Sequence, residues 1–254
     1  MRPTPHRPAL VAVAHGSRDP RAVHTVSALL DRVRELRPGL DVRLGHIELN
    51  EPLLDHTLED FAGTGGASAV LVPLLLSRGY HVKHDLPSAA AKVPGADVRV
   101  AAPLGPHPLL AEALASRLAE AGWRDEDNGS RRAAVVLASA GSRDPESAED
   151  TRRAAALLAE RLRVPVVPAY ASALAPTVPA AVRALTARGR HRIAVASYFA
   201  APGLFATRSA EAAPWIAAQP LGTHPALARL LLHRYDEALT AHSHPARLRE
   251  LTAA

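Results

Sequence analysis

The chain contains no cysteine. That excludes disulfides, thiolate zinc sites, cysteine-ligated iron–sulfur clusters and a cysteine nucleophile, so any metal must be held by imidazole and carboxylate. Aromatic residues make up only 4% of the 254 residues, and lysine occurs only at Lys83 and Lys92. No apolar run approaches the roughly 20 residues needed to cross a bilayer. The segment before Leu10 is polar and proline-rich, and Leu10 to Ala14 is too short for the core of a secretory signal. A cytoplasmic protein with no membrane partner is expected. The formal charge of +5 at pH 7 is carried almost wholly by arginine. With few aromatics to stack on bases and no basic block, nucleic acid is not the expected partner. A site for a polyanionic small molecule suits the charge at least as well. Hydrophobic residues make up 48% and charged residues 22%, which is ordinary for a soluble chain with a sizeable core.

One stretch organises what is present: Leu10-Val-Ala-Val-Ala-His15-Gly16-Ser17-Arg18-Asp19-Pro20. An apolar run ends in a histidine, a glycine turns the chain, and Asp-Pro supplies an N-cap followed by a residue pre-set for the first helical position. The reading is strand, tight turn, helix, with His15 at the carboxyl end of the strand, the edge where open α/β sheets bind ligands. The helix continues through Val23, Val26, Leu29, Leu30, Val33 and Leu36 and stops at Pro38-Gly39. A second strand is expected over 41–48 and a second helix from Asn50-Glu51-Pro52 to about Phe61. A loop follows at 63–66, then a strand over 69–76 with an irregular end at Pro73. A loop from Ser77 to Pro87 leads into a helix, a short strand covers 97–101, and a helix opens at Pro108 and runs to about Ala121. Residues 123–132 are polar, carry Asn-Gly, and form the best linker candidate.

The pattern then restarts. Gly141-Ser-Arg-Asp-Pro145 stands 125 residues after Gly16-Ser-Arg-Asp-Pro20. Pro176 and Gly203 follow Pro52 and Gly79 by 124, and Pro220-Leu-Gly-Thr-His224-Pro225 answers Pro103-Leu-Gly-Pro-His107-Pro108 at 117. Landmarks kept in order at nearly constant offset mark a duplicated domain. Strands alternating with helices give the fold class α/β, with two tandem domains, each a mostly parallel sheet flanked by helices. The domains are expected at 1–124 and 133–254.

The two copies differ in their polar residues. His15 is matched by Ala140, Glu48 by Ser172, His81 by Phe205, Glu51 by Ala175 and His84 by Arg208. The scaffold glycines and prolines survive in both copies, whereas these imidazoles and carboxylates survive in the first alone. Structural histidines have no reason to be lost together with a distant glutamate, so His15, Glu48 and His81 are placed together at one sheet edge. Two neutral imidazoles and a carboxylate suit a divalent first-row metal with open positions or serve as acid and base near neutrality. His84 and Glu51 are candidates for supporting groups. His107 and His224 recur before helical prolines and are read as structural or capping, and His24, His46 and His56 as background.

His15-Gly-Ser-Arg-Asp-Pro20, Ile47-Glu-Leu-Asn-Glu-Pro52 and Gly79-Tyr-His-Val-Lys-His-Asp-Leu-Pro87 resemble the signature stretches of the class II chelatases, more narrowly the sirohydrochlorin chelatases of the CbiX/SirB type. The first half resembles them strongly and the second as a degenerate repeat. The resemblance implies two chelatase-like domains facing across a cleft and ATP-independent insertion of a divalent metal into sirohydrochlorin, an octacarboxylate tetrapyrrole. The iron product leads to sirohaem, the cobalt product to cobalamin. It further implies that His15 and His81 are the metal-binding and catalytic histidines, with Glu48 as the supporting carboxylate. Single-domain relatives pair as dimers, so this fused chain is expected to be a monomer with one active half. No permanently bound cofactor is implied, because the metal is a substrate. Fe2+ is placed first and Co2+ next, since the chain lacks a His-rich tail. Ser17, Arg18, Arg78 and Lys83 flank the site and are candidates for holding the substrate's carboxylates. Phe199 and Phe205 are candidates for an apolar wall, with core packing as the alternative.

Other chemistries fit less well. A histidine phosphatase needs an arginine just before its nucleophile, where Ala14 stands. No Gly-rich phosphate loop follows any strand, against a nucleotide-binding fold. A non-catalytic metal or tetrapyrrole carrier would need the same ligands and is the leading alternative, and a nucleic-acid module stays open on charge alone.

Overall fold

In a computed structural model of the chain, residues 7–62, 68–93 and 95–251 are described, 242–251 as backbone alone. The loop expected at 63–66 and the polar segment before Arg7 lie outside the described residues. The first half runs β1 (Ala9–Ala14), α1 (Pro20–Leu36), β2 (Val42–His46), α2 (Leu54–Ala62), β3 (Ser68–Pro73), a π-helical turn (His81–Asp85) continuing into α3 (Leu86–Ala91), β4 (Asp97–Val100) and α4 (Pro108–Glu120). The second repeats it as β5 (Ala133–Ser139), α5 (Pro145–Leu162), β6 (Val166–Tyr170), α6 (Val178–Ala187), β7 (Arg192–Ser197), α7 (Leu204–Glu211), β8 (Ile216–Ala217) and α8 (Pro225–Leu251). Each half forms a four-stranded sheet, in the orders β2-β1-β3-β4 and β6-β5-β7-β8. All pairings are parallel.

The local chemistry anticipated from sequence builds these elements. All six side chains of β1 are buried. Asp19 caps α1 by accepting from the Arg21 amide, and Asp144 caps α5 from the Glu146 amide. Expected elements are trimmed where side chains are spent otherwise. The second helix begins at Leu54, not near Asn50, because the Asn50 Oδ1 accepts from the Ser17 amide at 2.7 Å and Glu51 accepts from the Leu53 amide at 2.9 Å. β3 ends regularly at Pro73, though the Leu74 amide still donates to the Val13 carbonyl. The polar stretch 123–132 is no free connector. Trp123 is buried and donates from Nε1 to Asn128 Oδ1, while Asp127 is 1% exposed and pairs with Arg192.

A parallel sheet has two faces to cover. The outer face of the first sheet is covered by α2 and α3 through Leu54, Leu58, Phe61 and Leu86, and that of the second by α6 through Val178, Ala181 and Leu185. The inner faces share one core, to which α1, α4, α5 and α8 contribute Leu29, Leu114, Leu158, Leu230 and Tyr235 among others. Each such buried leucine contributes about 1.5–3 kcal/mol. The closing helices are exchanged: α4 packs on α5 and β7, and α8 packs on α1 and β3. The exchange has a pseudo-twofold. Arg117 donates to the Leu221 carbonyl, and Arg234, its equivalent, donates to the Leu104 carbonyl. Glu112 and Arg229 occupy equivalent positions and pair across the axis. Opposite charges can meet there only because the two copies have diverged. Among the described residues no helix is long and apolar enough to cross a membrane.

His107 and His224 act as caps: each Nδ1 accepts the amide two residues on, from Leu109 and Ala226. Burial, chiefly, pushes both imidazoles below their ordinary value. The unfolded chain therefore binds more protons once pH falls below about 6.5. Their stabilisation is full above that pH and is lost as pH falls through the lowered folded value. Replacing both with Asn keeps a capping oxygen and should flatten the loss of stability between about pH 7 and pH 5 in urea titrations. An unchanged slope would contradict this assignment.

Candidate active site

β1 lies between β2 and β3, so the chain leaves its carboxyl end in opposite directions and a crevice opens there. His15 follows β1, Glu48 follows β2 and His81 lies beyond β3. The turn presenting His15 is tight. Gly16 has φ +102°, and a Cβ there would lie 1.8 Å from the Glu48 carbonyl oxygen, so only glycine lets the two loops close together. The rings of His15 and His81 meet edge to face with centroids 4.8 Å apart. His15 Nδ1 faces Glu48 Oε1 at 3.5 Å, both side chains about half exposed. His81 opens the π-helical turn, and its Nδ1 meets Asp85 Oδ2 at 2.6 Å. With Nδ1–H donated to that carboxylate, Nε2 keeps its lone pair and the ring is held in one orientation, the usual support of a metal-binding imidazole. Among the described residues no three such side chains close into a metal cage. A metal ion held by two imidazoles with a carboxylate beside them would keep coordination positions open, as ions at reactive rather than structural sites do.

The pair opens into a cleft of about 1200 Å³ between the halves, larger than the roughly 300–1,000 Å³ of a drug-sized ligand's pocket. His15, Ser17, Arg18, Glu48 and His81 line one wall, and Ala140, Phe199 and Phe205 face them. Of the five exposed large hydrophobic residues described, Leu49, Tyr80, Leu204 and Phe205 line this cleft, and only Leu36 does not. Phe205 is open to the cleft, whereas Phe199 also packs on the outer core of the second half.

The expected cations divide. Arg18 lines the cleft exposed and, among the described residues, has no hydrogen-bond or ion-pair partner. Arg78 and Lys83 have spent their charge on the second half. The Arg78 amide donates to Asp150 Oδ2 at 2.8 Å, and its Nη2 donates to Oδ1 at 2.7 Å. Lys83 Nζ lies 2.7 Å from Asp144 and 2.6 Å from Glu146, which raises the ammonium and holds Asp144 below the usual carboxylate range. Lys83 does not line the cleft. Removing Arg78 would leave the buried Asp150 carboxylate unpaired, at a cost on the order of 3–5 kcal/mol. Ser17 lines the cleft, and its Oγ accepts from the Asp19 amide.

Of the possible supporting groups, Glu51 points away. It accepts from the Leu53 amide and faces His56 at 3.3 Å, contacts that lower its carboxyl, so His56 has a partner that sequence did not suggest. His84 rests against the Tyr80 ring outside the cleft lining. Buried His46 uses Nδ1 on the Pro52 carbonyl. Asp85 was missed. Its spacing four residues after His81 on a helical turn was the available signal, and its counterpart, Ser209, is another carboxylate lost from the second copy.

The model of the CbiX family matches residues 9–121 and again 134–238. A sirohydrochlorin ferrochelatase of Priestia megaterium is 26% identical over 250 residues, covering 92% of this chain and 91% of that protein. A sirohydrochlorin cobaltochelatase of the same organism is 24% identical over 246 residues, covering 91% and 80%. The structure of SirB from Bacillus subtilis with Fe3+ shares the fold, with a TM-score of 0.74 at 24% identity over 94% of this chain and 98% of that one.

Gly16→Ala should destabilise by about 3 kcal/mol or more in urea titration, from backbone strain and the clash with Glu48 together. Gly39→Ala is the control: its φ is +82° but nothing lies within 4 Å of its Cβ position, so it bears the strain alone. Equal losses would show that the two loops do not meet as described.

Proposed function

The chain belongs to the CbiX family, and we propose that it inserts a divalent metal into sirohydrochlorin without ATP, Fe2+ by preference and Co2+ next. It is a metal chelatase, a lyase. The observation that carries the reading is the His15–His81 pair, edge to face at 4.8 Å, at the wall of a cleft whose apolar rim suits the face of a macrocycle. The reaction exchanges two pyrrole N–H protons for one M2+. His81, oriented by Asp85, and His15 bind the ion through imidazole nitrogen while its open positions meet the macrocycle nitrogens. As metal–pyrrole bonds form, the histidines surrender theirs, and His15 and Glu48 take up the departing protons. Phe205, Leu204 and Tyr80 flank the ring plane, and Ser17 and Arg18 meet its peripheral carboxylates. Arg78, already paired, shapes the wall rather than binding substrate, and Lys83, also paired, lies outside the lining.

Imidazole and carboxylate accept Fe2+ and Co2+ alike, and both metals are named among the relatives. The active site belongs to the domain at 1–124, with 133–254 a repeat that lacks the metal ligands. The exchange of closing helices supports a monomer built as a pseudo-dimer; the reading places it in the cytoplasm, with neither nucleic acid nor membrane as partner.

The test is anaerobic absorbance of sirohydrochlorin with Fe2+ or Co2+. Wild type should accelerate metallation, His15→Ala and His81→Ala should fall to the spontaneous rate, and Asp85→Asn should lose about 10- to 100-fold. Binding of tetrapyrrole by wild type without acceleration with either metal would replace the enzyme with a carrier.

A further inference from the structure

Several contacts between the halves obey the repeat. A Cβ on Gly203 would lie 3.6 Å from Ser17 Oγ, and one on Gly79 would lie 3.9 Å from Ser142 Oγ, equivalent positions meeting in both directions. The contacts of segment 77–85 with α5 have no such mate. Ser77 Oγ meets Ser147 Oγ at 2.9 Å, Arg78 is held by Asp150, and Lys83 by Asp144 and Glu146. At the matching positions the second half carries Ala201, Pro202 and Thr207 in place of Ser77, Arg78 and Lys83. On α1, Arg21, Ala22 and Thr25 replace Glu146, Ser147 and Asp150. Asp19 alone matches a clamp residue, Asp144, and it pairs with Arg21 in its own half.

The clamp is therefore one-sided, and it closes on the side that carries His81. Holding the halves together would be served equally by either side. Asp150 is 1% exposed and accepts from both the backbone amide and the guanidinium of Arg78, fixing main chain and side chain three residues before His81. Lys83 fixes the segment two residues after it. A buried ion pair contributes little net stability but strong geometric definition.

We propose that Asp150, Asp144 and Glu146, on the half without metal ligands, are positioning residues that hold His81 within reach of the ion shared with His15. The degenerate half is thus a brace for the active one. The inference rests on the chelatase reading, and the experiment separates the two.

Asp150→Asn and the control Asp236→Asn are compared with wild type. Asp236 pairs with Arg37 across the halves, on α8 and at the end of α1, away from His81. Co2+ alone is titrated anaerobically through its visible ligand-field band, and kcat and KM are measured with sirohydrochlorin. Asp150→Asn should weaken Co2+ binding and lower kcat by about 10- to 100-fold with KM for sirohydrochlorin unchanged, while Asp236→Asn changes neither. Lys83→Met should reproduce the effect and serves if Asp150→Asn does not fold. Equal behaviour of the Asp150 and Asp236 variants would overturn the brace and leave the chelatase standing. A wild type that takes up no Co2+ and leaves sirohydrochlorin unmetallated would overturn both.

Discussion

A four-stranded parallel sheet must bury both faces, and the two halves share that task. Each covers its outer face locally and lends its closing helix, α4 or α8, to the other's inner face. The result is one shared inner core with the carboxyl edges of two sheets turned toward a common cleft. Everything at the site follows from that reciprocity. Because α1 and α5 both serve the shared core, the turns that begin them, one ending in His15 and the other in Ala140, face one another across the cleft.

Duplication within one chain also lets equivalent positions diverge. Glu112 and Arg229 attract where an exact repeat would place like charges together. The same freedom has separated labour at the cleft. One copy keeps two imidazoles with their carboxylates, Glu48 and Asp85. The other presents Ala140, Leu204 and Phe205 as apolar surface and sends its acidic groups along α5 to grip the segment that carries His81. The positive charge near the site is thereby mostly internal, and Arg18 is left facing the cleft.

Much of this was legible in the residues, for local reasons. Asp-Pro after an apolar run specifies strand, turn and capped helix, and it does so twice. The repeat offset then exposed which polar residues were expendable to the fold and which were not, and that difference pointed to His15, Glu48 and His81. Contacts whose partners lie far along the chain are the least legible there. Arg78 and Lys83 read as free cations because Asp150 and Glu146 are remote in sequence and come near only through the exchange of helices. The stretch 123–132 read as a linker because its charges are polar in composition, yet Asp127 is spent on a buried pair with Arg192. Glu51 read as a possible supporting group because it sits in a signature stretch, but a helix start claimed it.

The most direct test of a single metal-handling edge is to locate the ion itself. Crystals soaked anaerobically in Co2+ and measured at the cobalt absorption edge should show one anomalous peak, bonded to His15 and His81 near Glu48, with none at Ala140 or Phe205. A principal site elsewhere, or equal occupancy in both halves, would contradict the account.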